Sequence, residues 1–163
     1  MKPVKLSDLI LALESDSDEE ITMVDLQTGR VEVVDRSVLS AIESGDEASL
    51  GDPPDWQIPE LKIARAITED PGGRFVDAPN KFDFHEYRQM ERFIGTVEDR
   101  AAAEQLWRAI KGNGAFRYFK DTARRLDLLK QWHQYRDNAM KEYVRDWAEA
   151  HDVQIVDDTK PIS

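Results

Sequence analysis

Apolar residues recur along the chain at two spacings, one typical of strands and the other of helices. The strand spacing is found in residues 21–34. Within that segment apolar residues approach the alternation of a half-buried strand on both sides of the turn Gln27-Thr28-Gly29-Arg30. Gly29 stands where a hairpin turn needs a positive φ, and β-branched residues on both sides suit a pleated surface. The pattern predicts a β-hairpin, which must pack on helices or a third strand because two strands alone are marginally stable in water.

Three short helices and an edge strand are also predicted in the first half of the chain. Ser7 is predicted to cap the first helix, since its hydroxyl can accept a hydrogen bond from a free backbone amide. The second helix begins at Asp35 or Ser37. The third begins near Pro59, a residue type favoured in the first helical turn. Residues 74–76 are predicted to form a third strand, at the edge of the sheet.

Helical spacing dominates the sequence after Asp83. Four apolar faces are predicted, formed by Tyr87, Met90, Ile94 and Val97; by Ala102, Leu106 and Ile110; by Phe116, Phe119, Ala123 and Leu126; and by Leu128, Trp132, Tyr135, Ala139 and Tyr143. Thr96 and Asp99 have the spacing of a capping box at the start of the second of these helices. Gly112, Asn113 and Gly114 interrupt the chain before the third. Four helices joined by short breaks predict a compact antiparallel bundle.

These elements predict the fold class. We expect an α+β protein, mostly α-helical, in which an N-terminal β-hairpin or small antiparallel sheet packs on a C-terminal helical bundle. A chain of 163 residues can bury a core of its own, so residues 1–163 are predicted to form a single domain. Its parts are an acidic segment with short helices and the hairpin (1–80), a helical segment (81–150) and a tail (151–163).

Charge is distributed unevenly between the two halves. The formal net charge is −11, and residues 1–80 account for all of it, with 18 acidic and 7 basic residues. Residues 108–130 carry seven basic and two acidic residues, a local excess of +5. A protein with this distribution can still present a basic patch to phosphate or to an acidic partner, although its net charge repels polyanions.

Several classes of protein and site are not supported by the sequence. There is no cysteine, so disulfides, thiolate metal sites and cysteine nucleophiles are excluded. No apolar run approaches the roughly 20 residues that cross a bilayer. The apolar segment near the N-terminus contains Ser7 and Asp8 and runs into acidic residues without a cleavage pattern, so we expect a cytoplasmic protein.

The third helix of the second half contains the candidate binding residues. Arg117, Lys120 and Arg124 recur at intervals of three and four, so they share one face of that helix. Basic residues interleaved with aromatic rings can contact phosphates and stack a base. The alternative is that these bases pair with the acidic first half of the chain. The full candidate set is Lys111, Arg117, Tyr118, Lys120, Arg124 and Arg125.

A catalytic interpretation rests on His133 and Asp137. Four residues separate them, so both project from one side of the last helix, and a histidine oriented by a carboxylate can act as an acid or base. The sequence places no nucleophile beside this pair, and a histidine and aspartate at this spacing commonly form a surface pair instead.

Cofactor and metal sites are not predicted. His85 with Glu86, and His151 with Asp152, lack the spacing of helical metal ligands. The acidic cluster at residues 16–20 lacks the turn glycine and the terminal glutamate of a calcium loop. The glycines at 112–114 precede a helix, as in anion-binding loops, but without the spacing of a nucleotide-binding loop or a strand before them.

Several of these segments together resemble a known family. They are the hairpin turn at residues 25–31, the helical segment 90–94, the block 112–120 with its GAFRYFK core, and residues 132–137 followed by Trp147. Over about residues 5–150 the chain resembles the bacterial group known as uncharacterised protein family 0158. The resemblance implies a small, soluble bacterial protein and brings no established reaction and no catalytic residues.

The sequence therefore predicts a non-enzymatic binding or regulatory module that contacts another protein or a nucleic acid through the basic helix. The alternative is a hydrolase-like enzyme in which His133 and Asp137 act as acid and base. No membrane partner is predicted, and the sequence does not indicate an oligomeric state.

Overall fold

A computed structural model describes residues 1–159, and its elements are those of an α+β protein. The α-helices are α1 (Leu6–Glu14), α2 (Arg36–Glu43), α3 (Ile58–Glu69), α4 (Lys81–Phe84), α5 (Glu86–Ile94), α6 (Arg100–Ala109), α7 (Ala115–Arg125) and α8 (Leu129–Ala150). The strands are β1 (Val4–Lys5), β2 (Glu20–Asp25), β3 (Arg30–Asp35), β4 (Phe75–Asp77) and β5 (Ile155–Val156). Short 3-10 helices occupy Glu47–Leu50 and Asp55–Gln57. The predicted fold class, mostly α-helical with a small antiparallel sheet near the N-terminus, is confirmed.

The chain divides into two compact units, which are described separately. Among the described residues, the first unit consists of Met1–Asn80 together with residues 144–159, and the second is Lys81–Tyr143. The second unit thus interrupts the first in sequence, and α8 contributes residues to both. That residues 1–163 form a single domain stays a prediction.

The first unit contains a three-stranded antiparallel sheet in the order β3-β2-β4. Strands β2 and β3 form the predicted hairpin, with Asp25 opposite Arg30 at the turn. Strand β4 pairs with the other side of β2, so the predicted edge strand is present. One face of the sheet is covered by α2 and α3, because Val34 packs in a core with residues of both helices. That core consists of Val34, Val38, Leu39, Leu61 and Ala64.

The hairpin turn depends on Gly29. Its φ is +74°, in the left-handed region that side chains with a Cβ rarely adopt. The turn also lies close to the N-terminal segment, since a Cβ added to Gly29 would come within 2.5 Å of the Pro3 carbonyl oxygen. Both the backbone conformation and the available space therefore require glycine at this position.

The start of α1 differs from the prediction. The helix begins at Leu6, and its N-cap residue is Lys5, which makes no side-chain capping bond. Lys5 belongs to β1, which pairs in parallel with β5, and this extended segment sets where the helix can begin. Ser7 therefore lies inside the first turn. Its amide and its hydroxyl donate to the carboxylate of Asp158, at 2.9 and 2.5 Å, so the prediction that Ser7 caps α1 was wrong.

The second unit has an aromatic core. Phe119 and Trp132 meet edge to face with ring centroids 4.9 Å apart, and Phe93 meets Trp132 in the same way at 5.5 Å. These rings belong to α5, α7 and α8, so one core joins helices distant in sequence. Its buried members are Met90, Phe93, Ile94, Leu106, Ile110, Ala115, Phe119, Ala123 and Trp132.

Two details of the helical predictions were wrong. Asp99, not Thr96, is the N-cap of α6, because α6 begins at Arg100 and the Asp99 carboxylate accepts hydrogen bonds from the amides of the first turn. Phe116 is 48% exposed, whereas Phe119 is fully buried. The buried row of α7 steps by four residues through Ala115, Phe119 and Ala123, so Phe116 lies beside that row and not within it.

Candidate binding surface on helix α7

The surface begins at the glycine turn before α7. Gly114 occupies the N-cap position with a φ of +79° and makes no side-chain capping bond. A Cβ added to Gly114 would lie 3.1 Å from the ring of Tyr118. The absence of a side chain at Gly114 thus lets the Tyr118 ring lie against the start of the helix while most of its surface stays exposed.

The structure places all six candidate binding residues on the exposed surface. The side chains of Arg117 and Arg124 are 86% and 70% exposed. They project from α7 on the side away from the buried row of Ala115, Phe119 and Ala123, as the helical period requires. Lys111, Lys120 and Arg125 are exposed as well, and Tyr118 is among the exposed aromatic residues.

One carboxylate interrupts this basic surface. Asp121 lies 3.9 Å from Arg117 and 3.7 Å from Arg124, measured between the closest nitrogen and oxygen atoms. Both distances are long, and all three side chains are more than half exposed, so each pair contributes about 0.5 kcal/mol or less to stability. The arginines are therefore free to turn toward a ligand.

Exposed aromatic rings accompany these bases. Phe116 and Tyr118 flank Arg117 in sequence, and both rings are about half exposed. Phe116 lies beside the buried row of α7, so about half of its surface is available to a ligand. The exposed side of α7 therefore combines cations with aromatic surface.

His133 and Asp137 do not form the catalytic arrangement that the alternative interpretation needs. Both side chains are exposed on α8, and within residues 1–159 they form no hydrogen bond with each other. A histidine that acts as a base needs a partner that orients its ring. The geometry therefore gives no support to the hydrolase-like alternative.

The other two histidines have local partners. His151 shares a 2.7 Å hydrogen bond with the Trp147 carbonyl through its Nδ1 atom and stacks on the Trp147 ring. His85 has a φ of +53° and lies with its ring centroid 5.6 Å from that of Phe82. In the part of the chain that the structure describes, no three histidine or acidic side chains come together as metal ligands.

Sequence reasoning missed the ion pair between the buried Asp25 and the partly exposed Arg74. Asp25 is 1% exposed and accepts hydrogen bonds from Arg74 and from the Gln27 amide. Burial acts to raise the pKa of the Asp25 carboxyl, but the hydrogen bonds from Arg74, Gln27 and Thr28 outweigh it and hold that pKa below its ordinary value. An aspartate four residues before the hairpin glycine, whose side chain can accept a hydrogen bond from an amide of the turn, was the available signal.

Among residues 1–159, none of the helices is both long enough and apolar enough to cross a bilayer.

Comparisons with known proteins identify the family. A protein of Pseudomonas aeruginosa described as a UPF0158 protein is 30% identical over 66 residues, which cover 40% of this chain and 43% of that relative. The aligned segment thus spans less than half of the relative's length. No solved structure matches the chain. The sequence profile of the Uncharacterised protein family (UPF0158) matches residues 54–160, a range that includes α7, and the chain belongs to that family.

Proposed function

We propose that the protein is a binding module that takes single-stranded nucleic acid on the exposed face of α7. One observation carries the proposal: Arg117, Lys120 and Arg124 are exposed on the same helix as the exposed rings of Phe116 and Tyr118. Cations that follow a phosphate backbone, together with aromatic rings that stack on bases, are the general means by which proteins hold single strands.

Charge supports a local interaction surface within an acidic protein. The formal net charge is −11, which repels a polyanion at long range. Salt screens that repulsion over about 10 Å at 0.1 M, so contacts at the surface of α7 act largely independently of distant carboxylates. We expect single-stranded nucleic acid to bind weakly, only at the exposed face of α7, and with an affinity that depends strongly on salt.

The aromatic residues distinguish this ligand from an acidic protein. An acidic protein surface would engage the same cations, but it would not require rings that stack on bases. Replacement of Phe116 and Tyr118 by alanine should therefore weaken binding of a single strand by about 10-fold or more, since stacking contributes about 1–3 kcal/mol per base. Binding of an acidic protein would depend mainly on the cations.

The test is fluorescence anisotropy of a labelled 12-nucleotide oligouridine across a series of salt concentrations. The variant is the triple substitution Arg117→Ala, Lys120→Ala and Arg124→Ala. Its matched control removes three exposed arginines elsewhere in the second unit, Arg88, Arg92 and Arg100. Each variant loses three positive charges, so only the position of the lost charge differs.

We expect the α7 variant to bind at least 10-fold more weakly at low salt, and the slope of log affinity against log salt to fall by about 2, since each phosphate contact on a single strand contributes about 0.7. The control variant should retain most of the affinity. Equal losses in both variants, binding that does not respond to salt, or no binding to RNA or DNA would each refute the proposal.

A further inference from the structure

Strand β3 has a free edge in the first unit. Within residues 1–159 its sheet has the order β3-β2-β4, so β3 pairs on one side only. The Arg36 amide donates to the Glu19 carbonyl on the β2 side, whereas the Asp35 amide donates to the side chain of Glu60. The Asp35 amide therefore points away from β2. Backbone groups of an antiparallel strand alternate in direction from one residue to the next, so the amides and carbonyls of Val31 and Val33 also point away from β2.

Two grooves border this edge. One, of 540 Å³, lies between α1 and the hairpin, and Leu11, Glu20 and Val33 are among its lining residues. The other groove, of 440 Å³, is lined by Trp56 and Glu60 and, like the first, by Glu20 and Val33. Because Val33 lines both grooves, they meet at the free edge of β3. We call the free edge of β3 and these two grooves the β3 edge surface.

The two grooves belong to opposite faces of the sheet. Val34 packs in a core with Val38, which lines the 440 Å³ groove, whereas the preceding residue of the strand, Val33, lines the 540 Å³ groove together with residues of α1. Successive side chains of a strand point to opposite sides. A strand added beside β3 would therefore direct alternate side chains into the two grooves, one next to α1 and the other next to Trp56.

Large apolar side chains are exposed around this edge. Trp56 is 75% exposed and Val33 is 48% exposed, and Leu11 on α1 is exposed as well. Exposed edge strands are usually blunted by lysine, proline or a covering element. Strand β3 contains three charged residues, Arg30, Glu32 and Asp35, but neither lysine nor proline. A strand edge with unpaired outward amides, beside exposed apolar side chains, is a template for another strand.

The charged residues of the grooves indicate which kind of strand fits. Acidic residues outnumber basic ones, because Arg30 is the single basic residue that lines the two described grooves. The acidic lining residues are Asp8, Glu19, Glu20, Glu32, Asp35 and Glu60. A second copy of this chain would bring the same acidic residues and a net charge of −11 to the contact, which disfavours self-pairing.

We propose that the β3 edge surface binds an extended basic peptide of another protein as an added strand. The amides and carbonyls of Val31 and Val33 supply the backbone hydrogen bonds. Apolar side chains of the peptide contact Leu11, Val33 and Trp56, and its lysine or arginine residues meet the acidic lining. The Asp35 amide already donates to Glu60, so the pairing between β3 and the peptide ends before Asp35. About four or five peptide residues then pair with β3.

The first test uses a peptide that alternates lysine and valine, seven residues long with blocked ends, and isothermal titration calorimetry. Val33→Pro removes the outward amide of Val33 without removing a hydrogen bond to β2, because proline is tolerated where the strand amide faces solvent. Val33→Thr keeps the amide and the β-branched shape, so it is the matched control. We expect at least a 10-fold loss of affinity for Val33→Pro and less than a 3-fold change for Val33→Thr.

A second measurement does not require any variant to fold. The same peptide, N-methylated at every residue, cannot donate to the carbonyls of Val31 and Val33 from either of its edges. With the wild-type protein it should bind at least 10-fold more weakly than the unmodified peptide. Equal binding of the two peptides would overturn the proposal even if Val33→Pro failed to fold.

The role of charge is tested separately. Glu19→Gln with Glu20→Gln should weaken binding of the lysine-valine peptide by several fold, whereas Glu98→Gln with Glu104→Gln, exposed glutamates of the second unit, should not. Equal effects of the two pairs would mean non-specific attraction and would refute the proposal. Sedimentation showing a dimer that Val33→Pro dissociates would assign the edge to a second copy instead.

Discussion

Arg74 donates two hydrogen bonds to the buried carboxylate of Asp25, from its Nε and Nη2 atoms at 3.1 and 3.0 Å. The two residues are 49 positions apart in sequence, and the pair joins the hairpin turn to the segment that enters β4. Arg74 also lies over the Phe75 ring, 4.8 Å from its centroid. The contact therefore positions β4 against β2 as well as satisfying a buried charge.

This pair should make stability depend on pH. The folded pKa of Asp25 is lowered, so its contribution is fully present above the unfolded value of about 3.9 and is lost as the pH falls through the folded pKa. Asp25→Asn should lower the free energy of unfolding at pH 7 by about 1–3 kcal/mol. It should also flatten the fall in stability below pH 4. Urea unfolding at pH 7, 4 and 3 measures both effects.

The control for this measurement is Asp137→Asn, which changes an exposed carboxylate of α8. That variant should follow the wild-type dependence on pH. If Asp25→Asn also ran parallel to the wild type below pH 4, the ion pair would not be the source of the pH dependence.

Gly29 should be far less replaceable than Gly45. Their φ values are +74° and +76°, so alanine costs about 1–2 kcal/mol in backbone strain at either position. A Cβ at Gly45 meets no atom within 4 Å, whereas one at Gly29 would strike the Pro3 carbonyl. We expect Gly29→Ala to be destabilising by about 1–3 kcal/mol more than Gly45→Ala, as overpacked sites are. Thermal unfolding of the two variants side by side gives this difference, and equal losses would contradict the close approach.

The two phenylalanines of α7 should differ sharply in their effect on stability. Phe119 is fully buried between Phe93 and Trp132, so Phe119→Ala should cost about 3–5 kcal/mol. Phe116→Ala should cost less than about 1 kcal/mol, because its ring is half exposed. Chemical denaturation followed by tryptophan fluorescence compares them. A large loss for Phe116→Ala would place that ring in the core and remove it from the proposed binding surface.

The start of α6 offers a test of capping. Asp99 accepts hydrogen bonds from the amides of Ala101 and Ala102, at 3.0 and 3.3 Å. Thr96 instead donates to the Phe93 carbonyl, at 2.6 Å. Asp99→Ala should lower the free energy of unfolding by about 1 kcal/mol, and Thr96→Val by less. Urea unfolding measures both losses. A larger loss for Thr96→Val than for Asp99→Ala would instead support the capping box that the sequence predicts.

Local signals in the sequence predicted much of the fold. The hairpin was predictable because Gly29 and the flanking β-branched residues act within a few positions of one another. Helix α7 was predictable because glycines precede an apolar row. The members of the buried row of α7 were harder to predict. Ala115 and Phe116 both lie about one turn before Phe119, and only packing decides which of them is buried.

Contacts between distant residues could not be predicted in this way. The pairing of β1 with β5 involves two residues from each strand, too few to leave a periodic pattern. The partner of Ser7 is Asp158, 151 residues away, and no local rule connects them. The β3 edge surface depends on which strand ends at the edge of the sheet, which sequence spacing does not determine. The exposure of Arg117 and Arg124 was predictable, because a helix with one buried row exposes the opposite side.

The parallel pairing of Val4 with Ile155 has a consequence for the order of events during protein synthesis. The first unit needs residues from both sides of the inserted segment 81–143, so the ribosome must translate past residue 156 before β1 meets its partner. Residues 81–143 are contiguous and can acquire their aromatic core as soon as they emerge from the exit tunnel. We therefore expect the inserted segment to fold first, before β5 has been synthesised and can pair with β1.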